Sequence, residues 1–286
     1  GFNLVLPLGI SYFIIRLIDT LMRWYRKEYV DISLREFLCF VLFPGTLIAG
    51  PIETIDQFYK KRIVRIGKDD IAFMLYRLCI GLFKKVVIAE YLLLGVLKSK
   101  GFQIMAVAPD MVSGQEILFN MACALAYAYV DFSAYSDMAI GISRGLGYRI
   151  RENFHFPMFA VNIRDYWKRW HISLSDWCMR NIYFPLMLKT RNSYLPLYAT
   201  MLAVGLWHAL TPSWVCWALH HATGLCALTY AQSKIKLSPR MLFWLTPVRI
   251  LATMLFVMAG FCFVWFSNFD IALSLYLRFI RALLPF

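Results

Sequence analysis

The chain has 286 residues, of which 60% are hydrophobic and only 16% carry a charged side chain. A soluble domain is closer to half apolar and a quarter charged, so this composition excludes an ordinary soluble protein and indicates one that crosses a membrane several times. The formal net charge of +13 would suggest a nucleic-acid partner in a soluble protein. Here we attribute it to cytoplasmic loops rich in Lys and Arg, which favour anionic lipid headgroups, and we predict a lipid-bilayer partner and no nucleic acid.

The first half of the chain contains three apolar runs that are long enough to cross a bilayer. A spanning helix needs about 20 residues, because each residue advances about 1.5 Å through a hydrocarbon core of about 30 Å. Between the second and third runs the chain is polar and contains glycine and proline, so we predict a loop over residues 99–114. The predicted helices cover residues 2–24, 70–98 and 115–146.

The run 37–52 is apolar but too short to span a membrane. It contains a Pro-Gly pair at 44–45 and a Gly-Pro pair at 50–51, and such pairs interrupt a helix. We therefore predict a re-entrant or broken helix whose two ends lie on the same side of the membrane. The basic loops at 58–68 and 144–151 are predicted to be cytoplasmic, since Lys and Arg concentrate on that side.

The segment 131–137, inside the third predicted helix, contains two carboxylates and three hydroxyls. Burying polar groups without partners costs roughly 2–7 kcal/mol each, so these groups require partners within the protein. Two alternatives remain open. The segment forms a polar network that packs helices together, or it forms the wall of a cavity, in which case Asp131 lines a tunnel.

Residues 162–183 form a central segment in which ionisable and aromatic side chains are interleaved. A helix facing lipid would not carry so many charges, because each is costly at membrane depth. We therefore predict a segment that enters the membrane while enclosed by protein and that lines a water-filled cavity. Its ionisable residues are Arg164, Asp165, Lys168, Arg169, His171, Asp176 and Arg180, and its aromatic residues include Tyr166, Trp167, Trp170 and Trp177.

The rest of the chain predicts four more helices, with a basic loop at 234–240 between the second and third of them. The last two helices are almost free of charged side chains in their interiors, and we expect no chemistry in them. The predicted helices cover residues 194–209, 213–232, 241–266 and 269–284.

Two of the five histidines are candidates for chemistry. His208 ends an apolar helix in which it is the only acidic or basic side chain, and an ionisable group at membrane depth indicates function by default. His171 is flanked by Arg169, Trp170 and Ser173, which could orient its ring and favour one protonation state. We expect His155 to lie at the headgroup surface. At least one of the adjacent residues His220 and His221 is expected to be packed in the protein or hydrogen-bonded.

The chain carries no motif of a metal centre or a nucleotide site. It has no HExxH sequence and no glycine-rich phosphate loop, and its seven cysteines are scattered without a CxxC pair. We therefore predict no metal, no bound cofactor and no disulfide framework. The remaining chemistry is a histidine general base in a buried channel, which takes the proton of a hydroxyl as its oxygen attacks an activated acyl carbon. Trp, Asn or Arg donors could hold the developing oxyanion.

Six stretches of the sequence occur in the order found in the membrane-bound O-acyltransferase family, which the chain resembles as far as about residue 224. The chain is similar to its bacterial branch, which includes alginate-type polysaccharide O-acetyltransferases and the D-alanyl transferase of teichoic acid. The WHxSLSxW block is the most specific of the six. The stretches are LPLGISY at 6–12, AGPI at 49–52, DFSAYSDMA at 131–139, ENF at 152–154, WKRWHISLSDW at 167–177 and GLWH at 205–208.

The resemblance implies an all-α, polytopic membrane bundle whose re-entrant or broken helices surround a central tunnel open to both faces. It implies one integral-membrane domain over residues 1–286, without the helices that precede the LPLGISY stretch in other members. It also places the protein in the bacterial inner membrane.

The resemblance further implies an O-acyltransferase that moves a small acyl group, acetyl above all, from the cytoplasm to a hydroxyl of an extracytoplasmic polysaccharide. The donor, acyl-coenzyme A or an acyl-carrier-protein thioester, is a co-substrate, and a glycan or a partner acetyltransferase receives the group on the outer face. His208 matches the family's catalytic histidine, and His171 matches its second functional histidine. The residues expected to line the substrate tunnel are Trp170, Trp177, Asn162, Trp207, Asp131 and Ser173.

Three alternatives stay open. The first is D-alanyl transfer to teichoic acid from a carrier protein. The second is a transporter, because such folds use broken helices, although the chain shows no inverted pair of broken helices at matching positions. The third is a non-catalytic membrane subunit that docks a partner through its basic cytoplasmic face.

Overall fold

The computed structural model describes residues 9–28 and 32–284, and over these residues the chain is helical. These residues contain no β-strand, only an isolated antiparallel bridge between Arg62 and Tyr148. The prediction of an all-α protein is therefore confirmed. Residues 2–8 of the predicted first helix lie outside the described residues.

The α-helices follow one another in the chain with two π-helical sections among them, Phe83–Leu93 after α5 and Met179–Tyr183 after α10. The α-helices are α1 (Ile10–Tyr25), α2 (Leu34–Val41), α3 (Pro44–Leu47), α4 (Ile55–Lys60), α5 (Lys68–Leu82), α6 (Leu94–Leu97), α7 (Lys100–Val107), α8 (Gly114–Gly145), α9 (Ile163–Trp167), α10 (Ile172–Cys178), α11 (Phe184–Thr190), α12 (Tyr194–His208), α13 (Pro212–Lys234), α14 (Pro239–Trp244), α15 (Thr246–Trp265) and α16 (Phe269–Leu283).

The chain divides into two compact units, and each unit is built from three segments that are not contiguous in the sequence. The first unit comprises Gly1–Val87, Val130–Asn153 and His171–Trp177. The second unit comprises Ile88–Tyr129, Phe154–Trp170 and Cys178–Phe286. The expectation of one membrane domain over residues 1–286 stays a prediction.

A buried arginine, Arg16, connects three helices near the start of the first unit. The Arg16 side chain donates from Nη1 to the backbone oxygen of Phe40 at 2.9 Å and to Oγ1 of Thr46 at 2.8 Å. Its guanidinium also lies 5.7 Å from the centre of the Phe40 ring, where the ring quadrupole attracts a cation. These contacts link α1 to α2 and α3.

The run 37–52 is broken, as its proline and glycine residues predict. Helix α2 is followed by the single turn α3, and no helix resumes before α4. A Cβ atom on Gly45 would collide with Oγ of Ser143, and one on Gly50 would collide with the backbone of Gly45. Glycine is therefore required where this segment folds back on itself. The placement of its two ends on one side of the membrane stays a prediction.

Two carboxylates of α8 pair with cations of α5 and of the π-helical section that follows α5. Asp131 contacts Lys85 at 2.6 Å, while Asp137 contacts Lys84 at 2.7 Å and Arg77 at 2.9 Å. The two lysines lie in the π-helical section that continues α5, so the predicted helix 70–98 is helical but not α-helical throughout. The requirement for partners within the protein is confirmed for the two carboxylates, whereas the buried hydroxyl of Ser136 makes no hydrogen bond within the described residues. A tunnel-lining role for Asp131 stays a prediction.

The prediction of a loop over 99–114 is wrong for its first half, which forms α7 in the second unit. Ser99 caps this helix by accepting a hydrogen bond from the backbone N–H of Phe102. The Phe102 ring then packs against Trp265 and Phe266, with ring centres 5.8 and 5.7 Å apart. Burial of this aromatic face outweighs the glycine and the polar residues that suggested a loop.

Helices α12 and α13 form the part of the second unit that positions its candidate histidine. Their bounds agree with the predicted helices 194–209 and 213–232 to within two residues. The two backbones approach closely at Gly205, where a Cβ atom would lie 2.6 Å from the backbone oxygen of Trp214.

Among the described residues, two helices, Gly114–Gly145 and Thr246–Trp265, are long and apolar enough to cross a membrane by length and composition.

We expect Gly205→Ala to lower the thermal stability of the detergent-solubilised protein, because the added methyl group forces α12 away from α13. Overpacking of this kind costs about 1–3 kcal/mol. The matched control is Gly95→Ala in α6, where nothing lies within 4 Å of the new Cβ atom. Thermal unfolding that is equal for the two variants would contradict the close approach.

Candidate functional site

His171 opens helix α10 in the first unit and is almost completely buried, with 3% of its surface exposed. Its backbone adopts φ 46°, a left-handed conformation that is uncommon for a residue other than glycine. The following N–H group, that of Ile172, donates to the backbone oxygen of Asn153 at 2.9 Å. This bond holds the sharp turn that directs the His171 ring into the unit.

Asn153 determines which nitrogen of His171 carries the proton. Its Oδ1 accepts hydrogen bonds from the backbone N–H of Ser173 at 3.2 Å and from the Ser173 hydroxyl at 2.9 Å. Because a backbone N–H can only donate, this atom of the amide must be the oxygen. The same oxygen lies 3.2 Å from Nδ1 of His171, so Nδ1 is the protonated nitrogen.

The other ring nitrogen of His171 faces a hydroxyl group. In the neutral ring Nε2 is then the unprotonated acceptor, and it lies 3.4 Å from the phenol oxygen of Tyr12. The edge of Phe132 closes one side of the ring, with centres 4.9 Å apart. The arrangement holds a basic nitrogen against an O–H group in a nearly water-free position, which is the geometry that a general base or a hydroxyl-binding group requires.

One hydrogen bond and one ion pair hold the loop that carries Asn153. The Glu53 carboxylate accepts the backbone N–H of Arg151, and the Arg151 guanidinium contacts Asp176 on α10 at 2.8 Å. Burial raises the pKa of Glu53 above its usual range, although the hydrogen bond from Arg151 opposes this shift. The loop is thus connected to Glu53, between α3 and α4, and to helix α10, which directly follows His171.

His208 ends helix α12 in the second unit and is surrounded by indole rings. Its ring stacks on Trp214 with centres 4.2 Å apart and planes inclined by 10°, and it contacts Trp207 at 4.7 Å. Within this unit its ring nitrogens make no hydrogen bond, and its side chain is exposed. Stacking therefore fixes the plane of the imidazole and leaves both nitrogens available to a substrate.

The pair His220 and His221 lies on α13, less than two turns beyond Trp214, the indole that stacks on His208. His220 Nε2 donates to the backbone oxygen of Phe256 at 2.9 Å, as expected for a structural role of at least one member of the pair. His221 is 1% exposed, and its ring lies 4.8 Å from that of Trp217, which in turn lies 6.1 Å from His208. Trp217 therefore separates His221 from His208 in the second unit.

The remaining predicted site residues are distributed between the two units. In the second unit, Trp170 stacks on Tyr166 at 5.7 Å, and Asn162 caps α9 by accepting the N–H of Asp165 at 2.8 Å. Their lining of a tunnel stays a prediction. The predicted residues in the first unit are Asp131, His171, Ser173 and Trp177, and those in the second are Asn162, Trp170, Trp207 and His208.

Sequence reasoning missed two residues of this arrangement, Tyr12 and Asn153. Each lies in one of the stretches that carry the family resemblance, LPLGISY and ENF, but neither stretch has a spacing that assigns a role to the residue. Their contacts with His171 emerge only from the packing of the first unit.

Comparison with known proteins gives one family match and several curated relatives. The model of the membrane-bound O-acyltransferase family matches residues 4–246. A probable alginate O-acetylase of Azotobacter vinelandii is 33% identical over 282 residues, covering 96% of this chain and 54% of that protein. A peptidoglycan O-acetyltransferase of Helicobacter pylori is 32% identical over 282 residues, covering 85% of this chain and 52% of the relative.

A third relative has a different named activity. A teichoic acid D-alanyltransferase of Bacillus subtilis is 28% identical over 282 residues, covering 91% of this chain and 68% of that protein. The chain spans about half the length of the alginate and peptidoglycan relatives that it matches.

We expect nuclear magnetic resonance of protein labelled with ¹⁵N-histidine to show His171 protonated on Nδ1 and unprotonated on Nε2, because Asn153 offers only an acceptor to Nδ1. His220 is the internal control, since its Nε2 faces a carbonyl oxygen and must carry the proton. His171→Gln and His220→Phe would assign the two signals. A His171 ring protonated on Nε2 alone would contradict the arrangement.

Proposed function

The chain belongs to the membrane-bound O-acyltransferase family, and from this premise we propose that it is a multi-pass inner-membrane enzyme that transfers a small acyl group to a cell-envelope polysaccharide. Acetyl is the proposed group, because relatives named as O-acetylating enzymes share a higher identity with the chain than the D-alanyltransferase does. The donor is a cytoplasmic thioester, either acyl-coenzyme A or an acyl-carrier protein, and the acceptor hydroxyl arrives from the outer face.

One observation carries this proposal: the basic nitrogen of a buried imidazole, that of His171, lies against a hydroxyl oxygen. In the transfer, the oxygen of the acceptor hydroxyl attacks the thioester carbonyl carbon, and its proton passes to an imidazole nitrogen. The carbon–sulfur bond then breaks, and the thiolate leaves with a proton, so that an ester and a thiol are formed. Tyr12 occupies the position in which such a hydroxyl would bind His171.

We assign the general-base role to His208 and the orientation of the reacting hydroxyl to His171. The free nitrogens of His208 and its flat stacking on Trp214 support the first role. The hydrogen-bonded, single-tautomer state of His171 supports the second. Trp207, which contacts the His208 ring, together with Trp170, Trp177, Asn162, Asp131 and Ser173, would shape the path of the substrates.

D-Alanyl transfer to teichoic acid is the second candidate, and the match to the Bacillus subtilis relative over most of the chain favours it specifically. Mass spectrometry of cell-envelope polymers from strains with and without the active protein distinguishes the two, because acetyl and D-alanyl esters differ in mass. The same measurement identifies the acceptor.

We expect His208→Ala to abolish acyl transfer, since general acid–base groups contribute about 10²–10⁴. We expect His171→Ala to reduce transfer about 100-fold, because the reacting hydroxyl is then no longer oriented. Ester content of the envelope polymer and transfer by the purified protein are the measurements. The control is His155→Ala, because His155 is exposed and makes only backbone hydrogen bonds and a ring contact with its neighbour. Activity retained in His208→Ala protein would refute its role.

The role of Asn153 gives a graded prediction. Asn153→Ala removes the acceptor that sets the His171 tautomer, and we expect a loss of activity similar to that of His171→Ala. Asn153→Asp keeps an acceptor oxygen, and the lost amide N–H group makes no hydrogen bond in the described residues, so activity should be retained. A carboxylate favours a protonated imidazole, which can no longer accept a hydrogen bond. As the pH is lowered, the activity of this variant should therefore be lost at a higher pH than that of the unaltered protein. Equal inactivity of both variants at every pH would contradict the argument.

A further inference from the structure

Two adjoining hollows in the second unit have opposite chemical character. The larger has a volume of about 730 Å³, and the smaller one of about 410 Å³. They share Val161, Asn162 and Gln232 as lining residues, so they lie next to each other. We call the larger hollow the apolar trough and the smaller one the cationic recess.

The apolar trough lies between α13 and α15. Small residues, among them Gly224 and Ala231 on α13 and Ala252 on α15, leave the space open, and Leu228 and Phe256 provide apolar walls. A hollow of this volume is in the range that accommodates a ligand of several hundred daltons. Its lining favours a hydrocarbon chain rather than a polar group.

Four cations around this site, Arg164, Lys168, Lys236 and Arg249, form no ion pair with a carboxylate of the described residues. Arg164 in the recess donates only to neutral oxygens, those of Gln232 and Thr229, both at 2.8 Å. Lys168 beside it and Lys236 at the trough make no ion pair within the described residues, and Arg249 donates only to a backbone oxygen. The one acid in the recess, Asp165, is paired with Arg169 instead, at 2.9 Å.

The mouth of the trough is marked by side chains typical of a membrane–water boundary. The short helix α14 directs Leu242 into the trough and exposes Phe243 and Trp244, each to 71%. Exposed Trp and other aromatic side chains are enriched at the level of lipid headgroups. The basic residues of the loop 234–240 lie beside them in the chain. The apolar trough is therefore bordered both by unpaired cations and by exposed aromatic side chains.

We propose that this site binds an anionic phospholipid of the bilayer, with one acyl chain in the apolar trough and the phosphate against the unpaired cations. A phosphate oxygen can accept hydrogen bonds from Arg164 and be attracted by Lys168 and Lys236, which offsets the charge that the protein leaves unpaired. The bound chain would also support α13 through Phe256, whose ring stacks on His220 with centres 4.0 Å apart. The site shares Asn162 with the residues assigned to the path of the substrates, but its occupancy by a lipid does not require acyl transfer.

The test measures the melting temperature of the purified protein in a neutral detergent after addition of phosphatidylglycerol or of phosphatidylcholine with the same acyl chains. We expect phosphatidylglycerol to raise the melting temperature by several degrees more than phosphatidylcholine, because a ligand that binds only the folded state stabilises it. His208→Ala protein should respond in the same way, which separates this result from the fate of the proposed function.

Variants locate the effect. Lys168→Gln/Lys236→Gln replaces two exposed cations and should remove the advantage of phosphatidylglycerol, whereas Lys60→Gln/Arg65→Gln, a matched exposed pair in the first unit, should keep it. Ala231→Phe fills the trough and should reduce the response to both lipids. An equal response to the two lipids, or one that the Lys168/Lys236 variant retains, would overturn the proposal. Stabilisation by coenzyme A that displaces phosphatidylglycerol would also overturn it and would assign the site to the donor.

Discussion

Polar side chains within the apolar parts of this protein must find their partners inside the chain, because lipid supplies none. Arg16 meets this constraint at Nη1, with a backbone oxygen and a threonine hydroxyl, and Asp137 meets it with two cations. The Nε and Nη2 atoms of Arg16 make no hydrogen bond within the described residues. His171 meets it with an amide oxygen on one side of its ring and a phenol on the other. Each partner also determines where the polar group points. The requirement that stabilises the helices therefore also orients the candidate site.

The two candidate histidines are held in position in different ways. Hydrogen bonds hold His171 in one tautomer, so its basic nitrogen has a defined direction. Ring stacking holds His208, which leaves its nitrogens free within the second unit. The fixed tautomer of His171 suits the orientation of a hydroxyl. The free nitrogens of His208 suit the transfer of the proton of that hydroxyl. The unpaired cations around the apolar trough are the converse case, in which the protein leaves a charge for a ligand to neutralise.

Agreement between sequence and structure is best where the signal is long and apolar. The predicted helix 115–146 corresponds to α8, and the broken run 37–52 is interrupted at its proline and glycine pairs. The prediction fails at 99–114, because composition averaged over this stretch hides two side chains, Phe102 and Met105, that are buried in the second unit. Glycine and polar residues lower helix propensity by less than such burial contributes.

By itself the sequence determined the helical class, the family and the two histidines that are candidates for chemistry, because apolar length, motif order and costly buried charges are read along the chain. Only the tertiary structure decided that Asn153 sets the His171 tautomer, that Tyr12 faces its basic nitrogen and that two hollows lie next to each other beside α13. These contacts connect residues as far as 159 positions apart. Such distant groups meet only when helices pack, and no local pattern of residues records which faces will touch.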